Sequence, residues 1–531
     1  MPGSRRSHHP PSAERGDAVN GPKLTDMPHQ GVKVFADYTA PLTLACEAVV
    51  VGSGPGGAVV AKELAEAGLD VILLEEGPPF GAADFRQDAG ASLRRTLREH
   101  GMRAAMGQTY IPTMQAVALG GGSLINSAIC ARAPAFALEH WRERTGIGLT
   151  RAELDPHYEK VERFLGVEPT RPETLGRRNQ LFKAGCDALG ISSEPTPRNV
   201  RGCKGSGECF TGCRTGAKKS TDVNYVPAAI RAGARVYTSV RAERLIHDGR
   251  AIRGITGHVV EPFTGRESHA VRITAQTVVL AAGCMQTPVI LQKSGLGGRW
   301  VGDELQFHPG LALMAIYDEP IDPWEGATQG YHSLHFLEEG VKLEVLWAPP
   351  AILATRLPGI GHLYQRNLLN FDRMAPFDVI AAAERSRGKV RAPLFGWEPR
   401  ISFDLHKDDM AVLMRGLAIL SDISWASGAV GVLPGIVGLP DVLCSKEQAE
   451  MLRRAEVRPR DAVIASNHAF GTTRMSRRPE DGVVDEYGRH HTVQGLYVAD
   501  SGLFVGSPSV NPMLTIMALA DRVAQCIAGN R

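Results

Sequence analysis

Residues 46–51, Cys-Glu-Ala-Val-Val-Val, run straight into Gly52-Ser53-Gly54-Pro55-Gly56-Gly57. The apolar run predicts a short buried strand. Ala58 to Ala67 predicts a helix that stops at Gly68, and Asp70-Val71-Ile72-Leu73-Leu74-Glu75 predicts a second strand. Strand, glycine turn, helix and strand in that order make a parallel βαβ unit. Gly52, Gly54 and Gly57 keep the spacing G-x-G-x-x-G between strand and helix, the context that gives the spacing meaning. The first glycine permits the tight turn, the second lets backbone approach a pyrophosphate, and the third lets the helix sit close to the strand. N–H groups of the helix N-terminus then face the phosphates. Glu75 closes the second strand, where a carboxylate accepts hydrogen bonds from ribose hydroxyls and repels a ribose 2′-phosphate. A dinucleotide is expected here, and this turn by itself does not separate FAD from NAD.

The chain of 531 residues is too long for one ordinary core, so two domains are expected. Charge nearly cancels, 59 basic against 57 acidic side chains, which argues against a nucleic-acid partner or a polybasic membrane surface. No apolar run reaches the ~18 residues of a membrane span. Nine cysteines are odd in number and sparse, which argues against a disulfide scaffold. Residues 1–38 are polar and Pro-rich and are expected to form a flexible tail. No apolar segment follows Arg5-Arg6, so a cytoplasmic location is expected.

Four further stretches suit backbone lying against a ligand or carry polar chemistry. They are Ala118-Leu-Gly-Gly-Gly-Ser-Leu-Ile-Asn126, Ala281-Ala-Gly-Cys-Met-Gln-Thr-Pro288 leading to Gly297, His468-Ala-Phe-Gly-Thr-Thr-Arg-Met475, and Asn511-Pro-Met-Leu-Thr515. With the first turn, these occur in the order found in the glucose–methanol–choline (GMC) family of flavin-dependent oxidoreductases, which the sequence resembles from about residue 45 to the end. The match is poor over roughly 310–460. Val301-Gly302-Asp303 and His308-Pro309 also look like a family segment, and Cys284 departs from the family's usual small Ala or Ser.

The resemblance implies a Rossmann-like FAD-binding domain interleaved with a substrate domain built on an antiparallel sheet, an α/β fold that is α+β overall. The expected FAD-binding segments are 39–150, 195–310 and 460–531, and the expected substrate segments are 151–194 and 311–459. Some relatives attach FAD through a histidine in the stretch matching 118–128; none occurs there, so noncovalent FAD is expected. Ser53 to Gly57 and Glu75 would hold the ADP half. Gly121, Gly122, Ser123 and Asn126 would lie beside the isoalloxazine and pyrophosphate. Ala242 would offer backbone to the adenine, Asp500 would sit near the phosphate or ribityl groups, and Pro512 and Met513 would face the flavin pyrimidine edge.

The implied reaction is oxidation of an alcohol to a carbonyl, with hydride passing from carbon to flavin N5. That requires a base on the hydroxyl, a task suited to histidine because its pKa lies near neutrality. His468 matches the family's catalytic histidine. Asn511 matches the second active-site position, where an amide donates to the developing alkoxide and cannot itself titrate. His308 is expected to be structural. O₂ or another acceptor would reoxidise the flavin. The aromatic residues Trp324, Tyr331, Trp347, Tyr364, Phe371, Trp397 and Trp425 are candidates for the wall of a bulky, apolar alcohol pocket, though most are expected to be core.

Cys203, Cys209 and Cys213 lie within eleven residues. Their spacing matches neither C-x₂-C zinc pairs nor a ferredoxin run, so a structural Gly/Cys loop is preferred and no metal is expected. Two other readings stay open: non-oxidative chemistry on the same fold, as a lyase, isomerase or decarboxylase, and electron transfer through the cysteines.

Overall fold

The computed structural model describes residues 31–85, 88–347, 350–354 and 357–529. Residues 1–30 of the expected tail lie outside the described residues. The rest of that tail is not loose: Val32–Lys33 pairs in parallel with Arg235–Tyr237, because Val32 finds an apolar edge to cover.

Six strands form a parallel sheet in the order Val32–Lys33, Arg235–Tyr237, Val71–Leu74, Ala48–Val51, Thr277–Leu280 and Leu496–Val498. Ala48–Val51 and Val71–Leu74 are buried at every residue. An unbroken apolar run is what a strand covered on both faces requires. Each fully buried Val or Ile contributes roughly 1.5–3 kcal/mol. The helix Pro55–Glu66 packs against the C-terminal helix Met513–Gly529, so the first and last α-helices of this body close on one another. A second sheet, Val240–His247, Ile252–Val260, Glu267–Thr274 and Leu42–Ala45, adjoins it.

The other body is a six-stranded antiparallel sheet in the order Gly431–Leu433, Gly310–Ile316, Met374–Ala381, Val341–Val345, Tyr331–Ser333 and Glu194–Pro195. Helix Lys407–Ala426 covers one face, with Arg177–Leu189 beside it. Helix Arg151–Leu165 is different. Its stripe Leu154, Tyr158, Val161 and Leu165 turns toward the C-terminal helix rather than toward the antiparallel sheet. The Tyr158 and Thr515 hydroxyls lie 2.8 Å apart, and Lys160 reaches Asp521 at 2.6 Å. A crossover also runs the other way: Ala104–Met106 pairs with Arg400–Asp404, so an N-terminal hairpin joins the sheet that flanks the second body.

The glycines of the first turn record how tightly the parallel body closes. Gly52 has φ +100°, and a Cβ there would lie 2.3 Å from the Ala281 carbonyl oxygen. A Cβ on Gly56 would lie 1.6 Å from the carbonyl oxygen of Ala499, beyond the end of the sixth strand. Neither neighbour is a side chain that can swing away. Gly56→Ala is therefore expected to destabilise the fold by about 3 kcal/mol or more, since overpacking against fixed backbone exceeds the usual core cost. Thermal denaturation of purified protein checks this.

Candidate active site

A cavity of about 410 Å³ lies between the two bodies. The parallel body lines it with Gly52, Gly54, Pro55, Gly56, Glu75, Gly121, Gly122, Asn126, Ala242 and Asp500. His468, Asn511, Pro512 and Met513 line the same cavity. Ser53, Gly57 and Ser123 do not line it. Their side chains, or the lack of one, hold the surrounding loops together. Ser53 Oγ donates to Glu75 Oε2 at 2.7 Å and accepts the Gly120 N–H at 2.9 Å. Ser123 Oγ donates to the Gly120 carbonyl at 2.7 Å, and a Cβ on Gly57 would strike the Gly52 carbonyl.

Glu75 also accepts the Ser53 N–H at 3.1 Å and the Gly77 N–H at 2.8 Å, so it braces the turn as well as facing the cavity. Burial pushes its carboxyl up against the pull of those donors. Asp500 accepts from the Gly283 N–H, the Thr287 hydroxyl and the Gly502 N–H at 3.0, 2.6 and 2.7 Å. It pins the turn after Thr277–Leu280 to the turn after Leu496–Val498, and burial pushes its carboxyl up to about 6. Asn126 donates from Nδ2 to Met513 Sδ at 2.9 Å, tying the glycine-rich loop to the C-terminal helix.

The residues present fit an extended phosphate-bearing dinucleotide. No side chain caps the helix Pro55–Glu66, which leaves its leading N–H groups for an anion. A Cβ on Gly54 would meet only Gly121 Cα, at 3.8 Å, and one on Gly122 would meet nothing within 4 Å. The protein does not need glycine at these two places for its own packing, so the space belongs to whatever occupies the cavity. Two cavity-lining side chains, Thr113 and Gln286, also carry buried oxygens without a partner, a state that an incoming polar group relieves.

His468 and His308 meet because Gln306–Phe307 and Ala469–Phe470 form a short antiparallel ladder. Their Nδ1 atoms lie 3.3 Å apart with the rings perpendicular, and His308 Nε2 lies 2.7 Å from Ser507 Oγ. His308, expected to be structural, thus lines the cavity and touches the candidate base. Burial lowers the proton affinity of both imidazoles. His468 falls to about 4, helped by the Lys342 ammonium and opposed by the Glu344 carboxylate. His308 is likewise held well below the ordinary imidazole range, with His468 and Lys342 adding to the effect of burial.

No motif in the sequence singles out Lys342, Glu344 or Gln329. Glu344 Oε1 accepts from Gln329 Nε2 at 2.5 Å, its Oε2 pairs with Lys342, and Lys342 Nζ donates to Asn511 Oδ1 at 2.5 Å. The only signal for Lys342 and Glu344 is the alternation Val341-Lys-Leu-Glu-Val345, which reads as an ordinary strand with one face in water.

Of the aromatic candidates, Trp347 and Trp397 line the cavity, with Phe210, Leu346 and Leu353 nearby on its wall. Trp324, Tyr364 and Phe371 pack in a separate apolar cluster, and Tyr331 and Trp425 belong to the core of the antiparallel body. The three clustered cysteines do not converge on a single ion. Among the described residues, the group of His, Cys, Asp or Glu ligands that does meet is Glu243, His258 and Glu267, and Arg241 already bridges two of its carboxylates. Cys209 Sγ instead accepts from Arg198 Nη2 at 3.1 Å, and the Cys209 carbonyl accepts from Lys218 Nζ at 2.7 Å. Lys218 also donates to the carbonyls of Leu124 and Asn126, so this loop buttresses the glycine-rich segment on the cavity wall.

The N-terminal and C-terminal family models described as GMC oxidoreductase match residues 48–310 and 385–520. The chain belongs to the GMC oxidoreductases. An uncharacterized GMC-type oxidoreductase of Mycobacterium tuberculosis is 34% identical over 504 residues, covering 94% of this chain and 78% of that protein. A long-chain-alcohol oxidase of Arabidopsis thaliana is 27% identical over 538 residues, covering 95% and 71%. Among solved structures, formate oxidase of Aspergillus oryzae shares the fold with a TM-score of 0.71 at 15% identity, over 93% of this chain and 99% of that one. Among the described residues no helix is long and apolar enough to cross a membrane.

In this GMC oxidoreductase, Gly54 separates folding from binding. Gly54→Val leaves backbone packing intact and fills the cavity instead. The variant is expected to fold with a melting temperature within about 2 °C of the parent, a difference of no more than about 2 kcal/mol at roughly 2 cal/mol/K per residue. It is also expected to lose at least about tenfold in FAD affinity, measured by flavin fluorescence on titrating the apoprotein.

Proposed function

We propose that this GMC oxidoreductase oxidises an alcohol to a carbonyl using noncovalently held FAD, with His468 as the base. The observation that carries the reading is that the glycine turn, His468 and Asn511 line one and the same cavity. The long-chain-alcohol oxidase relative supports the alcohol, and the wall of Trp347, Leu346, Leu353 and Trp397 suits a bulky apolar one. The cavity-lining residues between 113 and 129 include no His, Cys or Tyr that would tether a flavin, which supports noncovalent binding.

FAD, when bound, supplies the acceptor for the two electrons that leave with the carbon-bound hydrogen. The chain's own residues manage the proton. His468 takes the hydroxyl proton on Nε2, which requires its other proton to sit on Nδ1 and be donated to His308 Nδ1. His308 then donates from Nε2 to Ser507 Oγ, an oxygen that also accepts the Ser509 N–H at 2.9 Å. One chain of hydrogen bonds thereby selects the tautomer of the base. An imidazole of low proton affinity is sufficient, because the hydroxyl becomes strongly acidic as its carbon turns into a carbonyl. The Glu344 carboxylate favours the imidazolium that results. Asn511 Nδ2 donates to the substrate oxygen while negative charge builds there.

The electron-transfer reading loses its support, since the cysteines do not converge on a single ion and two of the loop's polar contacts are spent on Arg198 and Lys218. O₂ is the acceptor we favour, by analogy with the oxidase relative.

An anaerobic visible spectrum tests the reading: a panel of primary and secondary long-chain alcohols should bleach the oxidised flavin, and air should restore it. A yellow protein that no alcohol bleaches would overturn it. His468→Ala should keep its yellow colour and lose about 10²–10⁴-fold in the rate of flavin reduction, the usual contribution of a positioned base. Because the base works in its neutral form and its proton affinity lies near 4, the wild-type reduction rate should stay flat from about pH 6 to 8 and fall only below about pH 5.

A further inference from the structure

Lys342 and Glu344 stand two residues apart on the strand Val341–Val345, so both side chains leave the same face of the sheet. The alternate residues Val341, Leu343 and Val345 belong to the core that helix Lys407–Ala426 covers. The polar face does not reach solvent: Lys342 is 1% exposed and Glu344 2%. A buried ion pair is a poor way to stabilise a sheet, because desolvating two charges costs as much as their attraction returns unless further polar groups complete the shell. Here the completing groups belong to the site. Glu344 is held by Gln329, and the Lys342 ammonium spends its second hydrogen bond on Asn511 Oδ1. Lys342 itself does not line the cavity, whereas Glu344 and Asn511 do. The lysine therefore stands behind the amide.

An ammonium offers donors only. The Asn511 atom that faces it must be the carboxamide oxygen, and Nδ2 is left for the cavity. A carboxamide is nearly symmetric in shape, so packing alone does not choose between its two orientations. In the flipped orientation the carbonyl oxygen would face a substrate oxygen that is gaining negative charge, and the stabilising donor would be lost.

We propose that Lys342, anchored by Glu344, is a positioning residue for the reaction: it locks the Asn511 amide with Nδ2 turned toward the substrate oxygen. The inference rests on the alcohol-oxidation reading above for its consequence in rate, and on the hydrogen bonds alone for the lock. The lock explains why a strand buried on both faces keeps two charges where apolar residues would pack as well.

The test uses the holoenzyme and the double variant Lys342→Met/Glu344→Gln, which removes both charges at nearly constant volume and strands neither partner. A retained flavin spectrum reports that the variant is folded. The first readout is independent of turnover. In deuterated protein labelled with ¹⁵N-asparagine, the Asn511 Nδ2H₂ resonances, assigned by their loss in Asn511→Ala, should shift or broaden in the double variant. Unchanged resonances would overturn the lock. The second readout is stopped-flow flavin reduction by an alcohol that bleaches the wild type. The limiting rate should fall about 10²-fold, as for loss of one oxyanion donor, while the apparent substrate dissociation constant changes less than about threefold. Added to Asn511→Ala, the double variant should lower the rate by less than about twofold further; full additivity would overturn the proposal. Lys342→Gln/Glu344→Gln keeps a neutral donor facing Oδ1 and should recover most of the rate and the native amide resonances. If no alcohol bleaches the wild-type flavin, the alcohol reading falls, and the resonances still decide the lock.

Discussion

Everything in this molecule depends on backbone meeting backbone at the glycine turn. Gly52 lies against the Ala281 carbonyl, Gly57 against Gly52, and Gly56 against Ala499. The first and last of those contacts join turns that lie more than two hundred residues apart in the chain. They leave no room for a side chain, and they bring the turns at 52–57, 281–287 and 499–503 to one edge of the parallel sheet. Asp500 then bonds across two of these turns. A ligand-binding edge is thus assembled from three remote segments by contacts too short for anything but glycine.

The antiparallel body supplies the opposite wall. Its strand Val341–Val345 presents Glu344 to the cavity and Lys342 to Asn511, while His468 arrives from a separate ladder beside His308. The electrostatics are balanced rather than strong. Lys342 lowers the proton affinity of His468 and Glu344 raises it, and desolvation outweighs both. As the base we propose, His468 would therefore be neutral when substrate arrives, and the Glu344 carboxylate would favour the charge it acquires.

Much of the site was legible in the sequence for a definite reason. Gly52, Gly54, Gly56 and Glu75 sit in one uninterrupted strand–turn–helix–strand, where spacing alone dictates placement, and all four line the cavity. His468 and Asn511 were legible through the order of the motifs they open. Ser53, Gly57 and Ser123 share those motifs and yet do not line the cavity, because a motif does not say which of its members faces the ligand and which holds the loop. The place of His308, expected to be structural, was not legible for a related reason. Its contact with His468 is made across 160 residues of chain, and no local pattern carries it. Helix Arg151–Leu165 was expected with the substrate segments; its apolar stripe fits any apolar surface, and only the Tyr158–Thr515 and Lys160–Asp521 contacts reveal which one it covers.

The chain's own residues therefore determine, without reference to a fold, that a dinucleotide-type turn forms near the N-terminus, that it is followed by segments of the GMC pattern, and that a histidine and an asparagine stand ready near the C-terminus. Local spacing and steric exclusion act over a few residues, so they are written in the order of the residues. Tertiary structure alone decided that Lys342 and Glu344 face inward. Alternation along a strand separates two faces but says nothing about what covers each, and the polar face of Val341–Val345 is buried against Gln329, Asn511 and the cavity wall. Which side chains meet there is settled by how the two bodies pack, and that depends on the whole surface of each.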